Sequence, residues 1–538
     1  MPNIIQYHTS KIDNSLGIGN MRISSGPVDA GPTEVTGFYN GVNPPHGGYT
    51  IYQHKASGGP SILCPTSDAE LIVITNQIAG TSYTTINECF NYFAGQNDKM
   101  VMNNPITPFI SNGLRFSIDS RILPSYPHNG TTLHDLSGYI NNWTSLSNVS
   151  FDNQVFEFNG TNAYMQGSVS NFNPDIGANV MEVLFKPMKL NGSQQAIFSD
   201  NWGPEYGIWI YSDNTLRGAA YTNVQTSNIE VGRWYYAVLN VQPGANRSST
   251  DQTYIQFYVN GDYIGANNAN TGNGMNDQPF SLGFDYKSGS PANYFSGSIA
   301  SARLSYGQYD QSDINFNYYG GNIVTDGLVT ALDFSNLVSY ESGNSSGYSL
   351  TGSVGFDLFN SPTDTSNFGG GIKCEETDEF IALDDVIATD YVTVEVWYTR
   401  DSAGSGEDIV FNKESCWEVK DNGGNIQWAL MANNKSWFWY DSTANIAVGE
   451  TVQFVLTYDG NYVKSYKNGE LVQTYTYPGG GVLATQTSCY PKLNSRNCTR
   501  TSVRNPGNHT FYQFRIYDRA LTDGEIQQNY KANINRFN

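Results

Sequence analysis

The chain has 538 residues, enough for about three or four domains. Charged residues make up only 14 % of it, and aromatic residues also 14 %. Sparse Lys, Glu and Arg argue against a helical bundle, and the aromatic content is too high for a disordered chain. Short strands joined by polar turns remain as the expected architecture. The net charge of −21 repels phosphate backbones and anionic lipids, so no nucleic-acid partner is expected.

The start of the chain predicts a protein made in the cytoplasm. Residues 1–8 lack a basic stretch followed by an apolar one, so no secretory signal peptide is predicted. No run of 18 apolar residues occurs, so membrane insertion is not expected. Six cysteines without CxxC spacing are too few for a disulfide scaffold and suit a reducing compartment.

Residues 1–105 are predicted to form a small α+β module with an extended N-terminal arm. The arm, residues 1–35, has too few apolar side chains to fold alone, and residues 47–52 follow it as a strand. Arms of this kind become ordered against a partner. We therefore expect this module to dock onto a larger particle or to drive oligomerisation.

Two helices are predicted within this module. Ser67 and Glu70 form a capping box at the start of the first helix, which Gly80 ends. Thr85 with Glu88 marks the start of the second helix in the same way. These are the only helices expected before the end of the next domain.

The rest of the chain is a tandem repeat. The pairs related by an offset of 212 residues are Arg303 with Arg515, Ile314 with Ile526, Asn317 with Asn529, and Tyr318 with Tyr530. Further segments match in the same order at nearly the same spacing, which indicates duplication of one domain. The predicted copies are residues 106–321 and 322–538.

Each copy is predicted to be a β domain closed by a short helix. Residues 253–259 alternate in polarity and end in Asn260-Gly261, a strong hairpin signal that Asn468-Gly469 repeats in the second copy. Thr522 with Glu525 forms a capping box at the start of the last helix.

The end of each copy resembles a known domain family. Residues 511–517 read Phe-x-x-Phe-Arg-Ile-Tyr, and residues 521–530 read Leu-Thr-x-x-Glu-Ile-x-x-Asn-Tyr. This pattern resembles the end of laminin-G-like, concanavalin A-like jelly-roll domains. The resemblance implies a mainly β protein with two tandem β-sandwich jelly rolls after the N-terminal module. It also implies that the closing strand lies beside the opening one, residues 327–334.

The N-terminal module resembles a different group of proteins. Residues 48–60 read Gly-Tyr-Thr-Ile-Tyr-x-x-Lys-Ala-Ser-Gly-Gly-Pro, and residues 87–94 read Asn-Glu-Cys-Phe-Asn-Tyr-Phe-Ala. They look like a module of virion structural proteins of tailed, T4-like cyanophages. This resemblance implies a homo-oligomer on the virion surface that contacts other virion proteins through residues 1–105. A tail, fibre or baseplate location is expected, with a capsid-surface decoration or head fibre as the alternative.

Lectin-like jelly rolls on such a particle would adhere to host-surface glycans, whereas a polysaccharide-degrading tail enzyme is an alternative of a different class. Hydrolytic relatives of the jelly roll carry neighbouring carboxylates on one strand. The corresponding strand here, residues 393–398, has the lone carboxylate Glu395, and residues 375–379 form an acidic turn. We therefore predict that the protein is not an enzyme and has no catalytic residues.

Glycan binding needs flat apolar rings flanked by amides and carboxylates. The candidate glycan-binding residues are Trp437, Trp439, Tyr440 and Asp441 in the second copy, and Trp202 and Tyr206 in the first. On a strand, Trp437 and Trp439 share one face and Tyr440 lies on the other. One face must then be core, and the alternative is that both faces fill the sandwich. The second copy is accordingly predicted to carry recognition, with the first copy as a spacer.

Two questions stay open in the sequence. Calcium is common in laminin-G-like domains and needs clustered loop oxygens; Asp119, Asp333 and Asp441 are the candidate ligands, although no EF-hand spacing is present. Cys489 and Cys498 lie in a polar loop, where they could form a disulfide after assembly or remain thiols.

Overall fold

The computed structural model is mainly β, as the composition predicts. It describes residues 5–8, 22–25, 34–38, 49–53, 61–63, 72–73, 75–76, 79–84, 88–89, 92, 99–103, 109–110, 113–122, 125–126, 130–137, 139, 141–170, 172–174, 177–200, 206–243, 252–270, 279–287, 290–352, 354–375, 378–404, 406–432, 437–484 and 488–537. The chain divides into two compact units, Met1–Tyr318 and Tyr319–Asn538. This division falls a few residues before 322. The boundary near residue 105 stays a prediction.

The N-terminal region forms one antiparallel sheet of six strands. They are β1 (Ile5–His8), β2 (Arg22–Ser25), β3 (Glu34–Phe38), β4 (Tyr49–Gln53), β5 (Ser61–Leu63) and β6 (Lys99–Asn103). Their order in the sheet is β3-β2-β1-β5-β4-β6. The predicted arm contributes paired strands to this sheet: β1 pairs with β5 and with β2, and β2 pairs with β3.

Helical backbone follows where the sequence predicts it. Residues 72–73, 75–76 and 79 are helical, and Gly80 ends the segment in the left-handed region at φ +65°. Thr84, through its backbone N and its hydroxyl, donates to Glu88 Oε2 at 2.9 and 3.4 Å. Glu88 therefore bonds Thr84, whereas the predicted partner Thr85 lies outside the described residues.

The jelly roll of the first unit consists of two large antiparallel sheets. The first sheet has the order β19-β18-β17-β12-β23-β10-β9, with β7 paired to β23, and comprises β7 (Leu114–Asp119), β9 (Ser150–Asp152), β10 (Val155–Asn159), β12 (Asn179–Pro187), β17 (Tyr235–Gln242), β18 (Gln252–Val259), β19 (Asp262–Asn270) and β23 (Ser296–Tyr306). The second sheet has the order β16-β15-β14-β13-β20-β11-β8 and comprises β8 (Ser145–Ser147), β11 (Tyr164–Gly167), β13 (Gln195–Asp200), β14 (Tyr206–Ile210), β15 (Thr215–Ala220), β16 (Asn223–Asn228) and β20 (Phe280–Leu282). A small hairpin, β21 (Asp285–Lys287) with β22 (Ser290–Ala292), and helix α1 (Gln311–Tyr319) complete it.

The second unit repeats this arrangement. Its first sheet has the order β27-β28-β39-β30-β35-β36-β37, with β24 paired to β39, and comprises β24 (Leu328–Asp333), β27 (Thr363–Thr365), β28 (Gly371–Cys374), β30 (Val392–Arg400), β35 (Thr451–Tyr458), β36 (Tyr462–Lys467), β37 (Glu470–Thr476) and β39 (His509–Tyr517). Its second sheet has the order β25-β26-β29-β38-β31-β32-β33-β34 and comprises β25 (Ser346–Tyr348), β26 (Gly355–Phe359), β29 (Phe380–Leu383), β31 (Asp408–Lys413), β32 (Trp417–Asn422), β33 (Asn425–Leu430), β34 (Trp439–Asn445) and β38 (Lys492–Leu493). A 3-10 helix, Asn367–Gly369, and helix α2 (Asp523–Phe537) complete it.

In both units the strand pairing agrees with the expected jelly roll. The opening strand β24 pairs with the closing strand β39, and β7 pairs with β23 in the same way. Each pair of sheets encloses an apolar core, with Phe198 and Phe257 among its residues in the first unit and Trp428 and Phe454 in the second. Among the described residues, no helix is both long and apolar enough to cross a bilayer.

A buried carboxylate connects the central strand, the last strand and the closing helix of the second unit. Glu395 on β30 accepts hydrogen bonds from Arg515 on β39 at 2.8 Å and from Gln453 on β35 at 2.9 Å. Its second oxygen accepts from Asn529 of α2 at 2.7 Å. Both oxygens of the lone carboxylate of this strand are therefore hydrogen-bonded within the fold.

The first unit repeats this network with a longer distance between the carboxylate and its arginine. Glu182 on β12 accepts from Asn317 of α1 at 2.9 Å, and Arg303 on β23 lies 3.8 Å from it. The Tyr236 hydroxyl donates to the same carboxylate. The two pairs that the offset of 212 residues related, Arg303 with Arg515 and Asn317 with Asn529, thus perform the same structural task.

Glu395→Ala should destabilise the second unit by about 3–5 kcal/mol, because Arg515 would remain buried without a counter-charge. Denaturant unfolding of the full chain measures this loss. The control Glu375→Ala removes a carboxylate from an exposed ion pair with Lys373 and should change the unfolding free energy by less than about 0.5 kcal/mol. Equal effects of the two substitutions would contradict the structural role of Glu395.

The last helix begins with the predicted capping box, and this predicts an acid-sensitive stability. Thr522 N donates to Glu525 Oε2 at 2.8 Å, and Glu525 N donates back to the Thr522 hydroxyl at 3.3 Å. Hydrogen bonds from Arg519, supplemented by those from Thr522, lower the pKa of Glu525 to about 2. Because the folded-state pKa lies below the unfolded one, Glu525 stabilises the fold above about pH 4.3 and loses that effect towards pH 2.

Glu525→Gln should therefore be less stable than the parent at pH 7 and lose less stability than the parent between about pH 4.3 and pH 2. Unfolding free energies measured across pH 2–7 give the two profiles. Parallel profiles through the acid window would show that Glu525 is not the titrating group.

Candidate functional site

The second sheet of the second unit has one face in the core and one outer face. Trp417, Val419 and Trp428 belong to the core, so their alternating neighbours Glu418 and Lys420 lie on the outer face. Trp439 pairs with Ala429 on β33, which places it on the outer face as well. We call Trp437, Trp439 and Arg496, together with the buried side chains of Glu418 and Lys420 on the same side of the sheet, the Trp439 face.

Two cations lie over the ring of Trp439. Lys420 Nζ is 4.3 Å from the ring centroid, and the Arg496 guanidinium carbon is 5.3 Å from it. Trp437 packs edge-on against Trp439, with ring centroids 6.2 Å apart and planes at 88°. The neighbouring Phe438 is 59 % exposed, so this edge of the sheet presents aromatic surface to solvent.

A buried carboxylate fixes Arg496 in this position. Glu418 Oε1 accepts from Arg496 Nε at 2.8 Å, and Oε2 accepts from the Asn412 amide. Burial raises the pKa of Glu418 to about 7, although the bonds from Arg496 oppose that shift. Solvent does not reach Glu418, and both of its oxygens are engaged, so it positions the guanidinium and has no access to a substrate.

The loop that carries Arg496 is closed by a disulfide between Cys489 and Cys498, which decides the question that the sequence left open. Lys492 Nζ donates to the Thr499 carbonyl at 2.6 Å within the same loop. Asn494 donates to the Glu379 carbonyl at 2.9 Å and so attaches the loop to the sheet. The other described cysteines are the buried thiols Cys89, Cys374 and Cys416.

The remaining candidates of the second copy do not all share this face. Tyr440 points to the core side, where it stacks on Trp428 at 4.6 Å and contacts Tyr475 at 4.4 Å. Asp441 is exposed beside Trp439 and accepts from the Asn425 amide at 2.8 Å. Trp439 and Asp441 thus remain candidates for ligand contact, whereas Tyr440 packs against the core of the sandwich.

Of the two candidates in the first copy, Tyr206 lies among the described residues. Tyr206 is fully buried in the core, and its hydroxyl donates to Asn179 Oδ1 at 2.6 Å, which corrects its assignment as a sugar-contacting residue. Every residue of its strand is buried, so the strand has no solvent-facing side. Trp202 lies outside the described residues.

The proposed calcium ligands have other partners. Asp119 binds Arg121 with its Oδ2 at 2.6 Å, and Asp333 binds Arg536 with its two oxygens at 2.8 and 3.0 Å. An arginine thus already neutralises both of these carboxylates, whereas Asp441, the third candidate, accepts a hydrogen bond from the Asn425 amide. In the part of the chain that the structure describes, no three His, Cys, Asp or Glu side chains are grouped as a metal site requires.

Sequence reasoning missed the charged part of the Trp439 face. The alternation in residues 417–421, Trp-Glu-Val-Lys-Asp, already placed Glu418 and Lys420 on one side of a strand and could have revealed them. No comparable signal existed for Arg496, because its position depends on how a long loop folds back onto the sheet.

Solved structures share parts of this fold at low identity. The receptor-binding domain of botulinum neurotoxin type G is 16 % identical, with a TM-score of 0.30 over 38 % of this chain and 51 % of that chain. Domain 4 of AbnA, a GH43 extracellular arabinanase from Geobacillus stearothermophilus in complex with arabinotriose, is 17 % identical, with a TM-score of 0.29 over 38 % of this chain and 98 % of that domain. The CBM40 of a Ruminococcus gnavus IT-sialidase bound to α2,3-sialyllactose is 16 % identical, with a TM-score of 0.25 over 29 % of this chain and 94 % of that module.

The chain spans about half the length of the neurotoxin binding domains that it matches. A search among curated proteins found no match. The model of the Laminin_G_3 family, described as the concanavalin A-like lectin/glucanases superfamily, matches residues 159–315 in the first unit and 375–527 in the second. Together these segments make up more than half of the chain, and each contains most of one jelly roll. The chain therefore belongs to the Laminin_G_3 family, the concanavalin A-like lectin/glucanases superfamily, with one copy in each unit.

Proposed function

We propose that this is a non-enzymatic glycan-binding protein of a virion, with the Trp439 face as its sugar-binding surface. The observation that carries the proposal is the pair of tryptophans at the outer edge of a sheet, next to fixed polar groups. A tryptophan ring offers a flat apolar surface for sugar C–H groups. Arg496 supplies hydrogen-bond donors beside the ring, and Asp441 supplies acceptors.

The arrangement favours binding over hydrolysis. A retaining or inverting glycosidase needs two carboxyl groups that flank the scissile bond. Glu418 on β32 is inaccessible to solvent and bonded to Arg496 and Asn412. Glu395 lies on the other sheet in its own buried network. Neither group can reach a bound sugar, which supports a role without catalysis; turnover of a host-surface glycan by the purified protein would support the polysaccharide-degrading alternative.

The virion part of the proposal rests on the N-terminal region. Its segments 48–60 and 87–94 resemble the module of tailed-phage structural proteins, and its strands form a sheet of their own. In this proposal, residues 1–105 dock a homo-oligomer onto the virion surface, and the jelly rolls contact the host. Weak binding at each shallow site would be strengthened by multivalency in the oligomer. A tail, fibre or baseplate location is proposed, with a capsid decoration or head fibre as the alternative.

Trp439→Ala should weaken binding to host-surface glycans and leave the melting temperature nearly unchanged, because the ring lies outside the core. The matched control is Trp428→Ala on the neighbouring strand. It removes a fully buried ring and should cost about 3–5 kcal/mol of stability. Adsorption to host cells and thermal melting of both variants measure the two effects. A large drop in the melting temperature of the Trp439 variant, or unaltered adsorption, would contradict the proposed surface.

Deletion of residues 1–105 should leave folded jelly rolls that no longer enter particles, because each jelly roll has its own core. Incorporation is measured by quantifying the truncated chain in purified particles, and imaging of labelled particles separates tail from capsid. Normal incorporation of the truncated chain would contradict the docking role.

A further inference from the structure

A row of three polar side chains crosses the middle of the second sheet of the second unit, on the side away from the core. Lys492 on β38 lies opposite Asn412 on β31, and Asn412 lies opposite Glu418 on β32. All three are shielded from solvent. Directly opposed residues of an antiparallel pair have Cβ atoms about 4.5–5.5 Å apart. The row therefore places a primary amine, a carboxamide and a carboxylate next to one another in a buried site.

The strand that carries the amine is short for its place in the sheet. β38 has two residues, yet it lies in the interior of an eight-stranded sheet, between β29 and β31. Leu493 enters the core, so Lys492 lies on the other side of the sheet. A strand of two residues forms few backbone hydrogen bonds, and a bond through Lys492 would fix it to β31.

The surroundings of Lys492 favour the uncharged amine. Its Nζ donates to the carbonyl of Thr499 at 2.6 Å and to that of Ser502. These two acceptors match the two N–H bonds of a neutral amine, so one position on the nitrogen remains for its lone pair. Burial lowers the pKa of Lys492 to about 8, although the charge of Glu414 opposes that shift. Near pH 8, about half of the amine is then in the nucleophilic form.

The carboxamide of Asn412 is bonded through its nitrogen and not through its oxygen. Nδ2 donates to Glu418 Oε2, whereas Oδ1 is buried and has no hydrogen-bond partner among the described residues. A buried acceptor without a partner costs free energy, and such groups need an explanation in a folded protein. Here the unpartnered group is the amide that faces the lysine.

The carboxylate of Glu418 can move a proton at this site. Its Oε2 already accepts from the Asn412 nitrogen, and its Oε1 is bonded to Arg496. Its pKa of about 7, raised by burial, lies close to neutral pH. A carboxyl group of this kind can accept a proton and return it within one reaction.

The first unit has a different row at the same place. Ser281 lies opposite Ser199, and Ser199 lies opposite Gly207. The two serine hydroxyls are 3.1 Å apart and hydrogen-bonded to each other. The jelly roll therefore forms without an amine, an amide and a carboxylate at these positions, and the reactive row is a property of the second unit.

We propose that Lys492 and Asn412 form an intramolecular isopeptide bond. Lys492 Nζ attacks Cγ of Asn412, the Nζ–Cγ bond forms and the Cγ–Nδ2 bond breaks. Glu418 accepts a proton from Nζ and gives it to Nδ2, which leaves as ammonia, so the step needs neither an oxidant nor a reductant. The reaction occurs once within the chain and involves no external substrate. It is independent of the glycan-binding role of the Trp439 face.

The test measures the intact mass of the full chain after denaturation and reduction. We expect a mass below that of the sequence by one ammonia molecule. Trypsin cleaves after lysine and arginine but not after a lysine whose amine is acylated. The link should therefore appear as a branched peptide in which residues 401–413 are joined to residues 468–496, whereas an unlinked chain gives a peptide that ends at Lys492.

Three variants test the role of each group. Lys492→Arg and Glu418→Gln should both have the full sequence mass, because the first lacks the nucleophile and the second lacks the proton acceptor. The matched control is Lys413→Arg, which alters a buried lysine on the opposite side of β31 and should keep the link. The double variant Asn412→Ser/Lys492→Ser copies the serine pair of the first unit, so it should fold and lack the link, as melting curves and mass measure.

A parent chain with the full sequence mass would overturn the inference, whether or not any variant folds. Loss of ammonia without the branched peptide would overturn it too, because an asparagine that cyclises to a succinimide gives the same mass. Formation of the link in Glu418→Gln would refute the proton transfer, and its loss in Lys413→Arg would show that the mass change does not report on the row.

Discussion

Each jelly roll is organised around a buried carboxylate that needs a positive partner. In the second unit, Glu395 binds Arg515 on the last strand and Asn529 on the closing helix, so that three distant parts of the chain meet at one charge. A buried carboxylate without partners would cost several kcal/mol, and the unit can avoid this cost only in the native register of β30 and β39. The network also fixes the helix over the first sheet. The outer face of the second sheet and the hairpin edges take no part in this network.

The two copies share this interior and differ at their surfaces. Arginine neutralises the opening-strand carboxylate in both, but from different places: Arg121 lies two residues after Asp119, whereas Arg536 comes from the far end of α2 to reach Asp333. The longer helix of the second unit thus makes a contact that the nine-residue α1 does not reproduce. The outer side of the second sheet has diverged in the same way, with a lysine, an asparagine and a glutamate in one copy and two serines and a glycine in the other. Such differences change the outer surface and leave the sandwich intact.

Much of the fold followed from local sequence signals. The offset between Arg303 and Arg515 identified the duplication, and the capping box at Thr522 located the start of the last helix. Alternation placed Trp439 and Tyr440 on opposite faces, but it could not say which face was core, because Tyr475 and Trp428 settle that from other strands. Tyr206 misled the prediction because its strand is buried on both sides and carries no period of two. Arg496 was unpredictable because a loop carries it to Trp439.

That loop gives the Trp439 face a property of its own. Cys489 and Cys498 are nine residues apart, so their disulfide closes a short ring. By restricting the unfolded chain, a ring of this size stabilises the folded state by only about 2–3 kcal/mol. Its main effect is local. Arg496, inside the ring, is held over Trp439 by Glu418 before any ligand arrives. A ligand that uses the guanidinium then meets a preorganised partner and loses less of its binding free energy to ordering side chains. The disulfide and the ion pair between Arg496 and Glu418 together restrict the position of Arg496 in the Trp439 face.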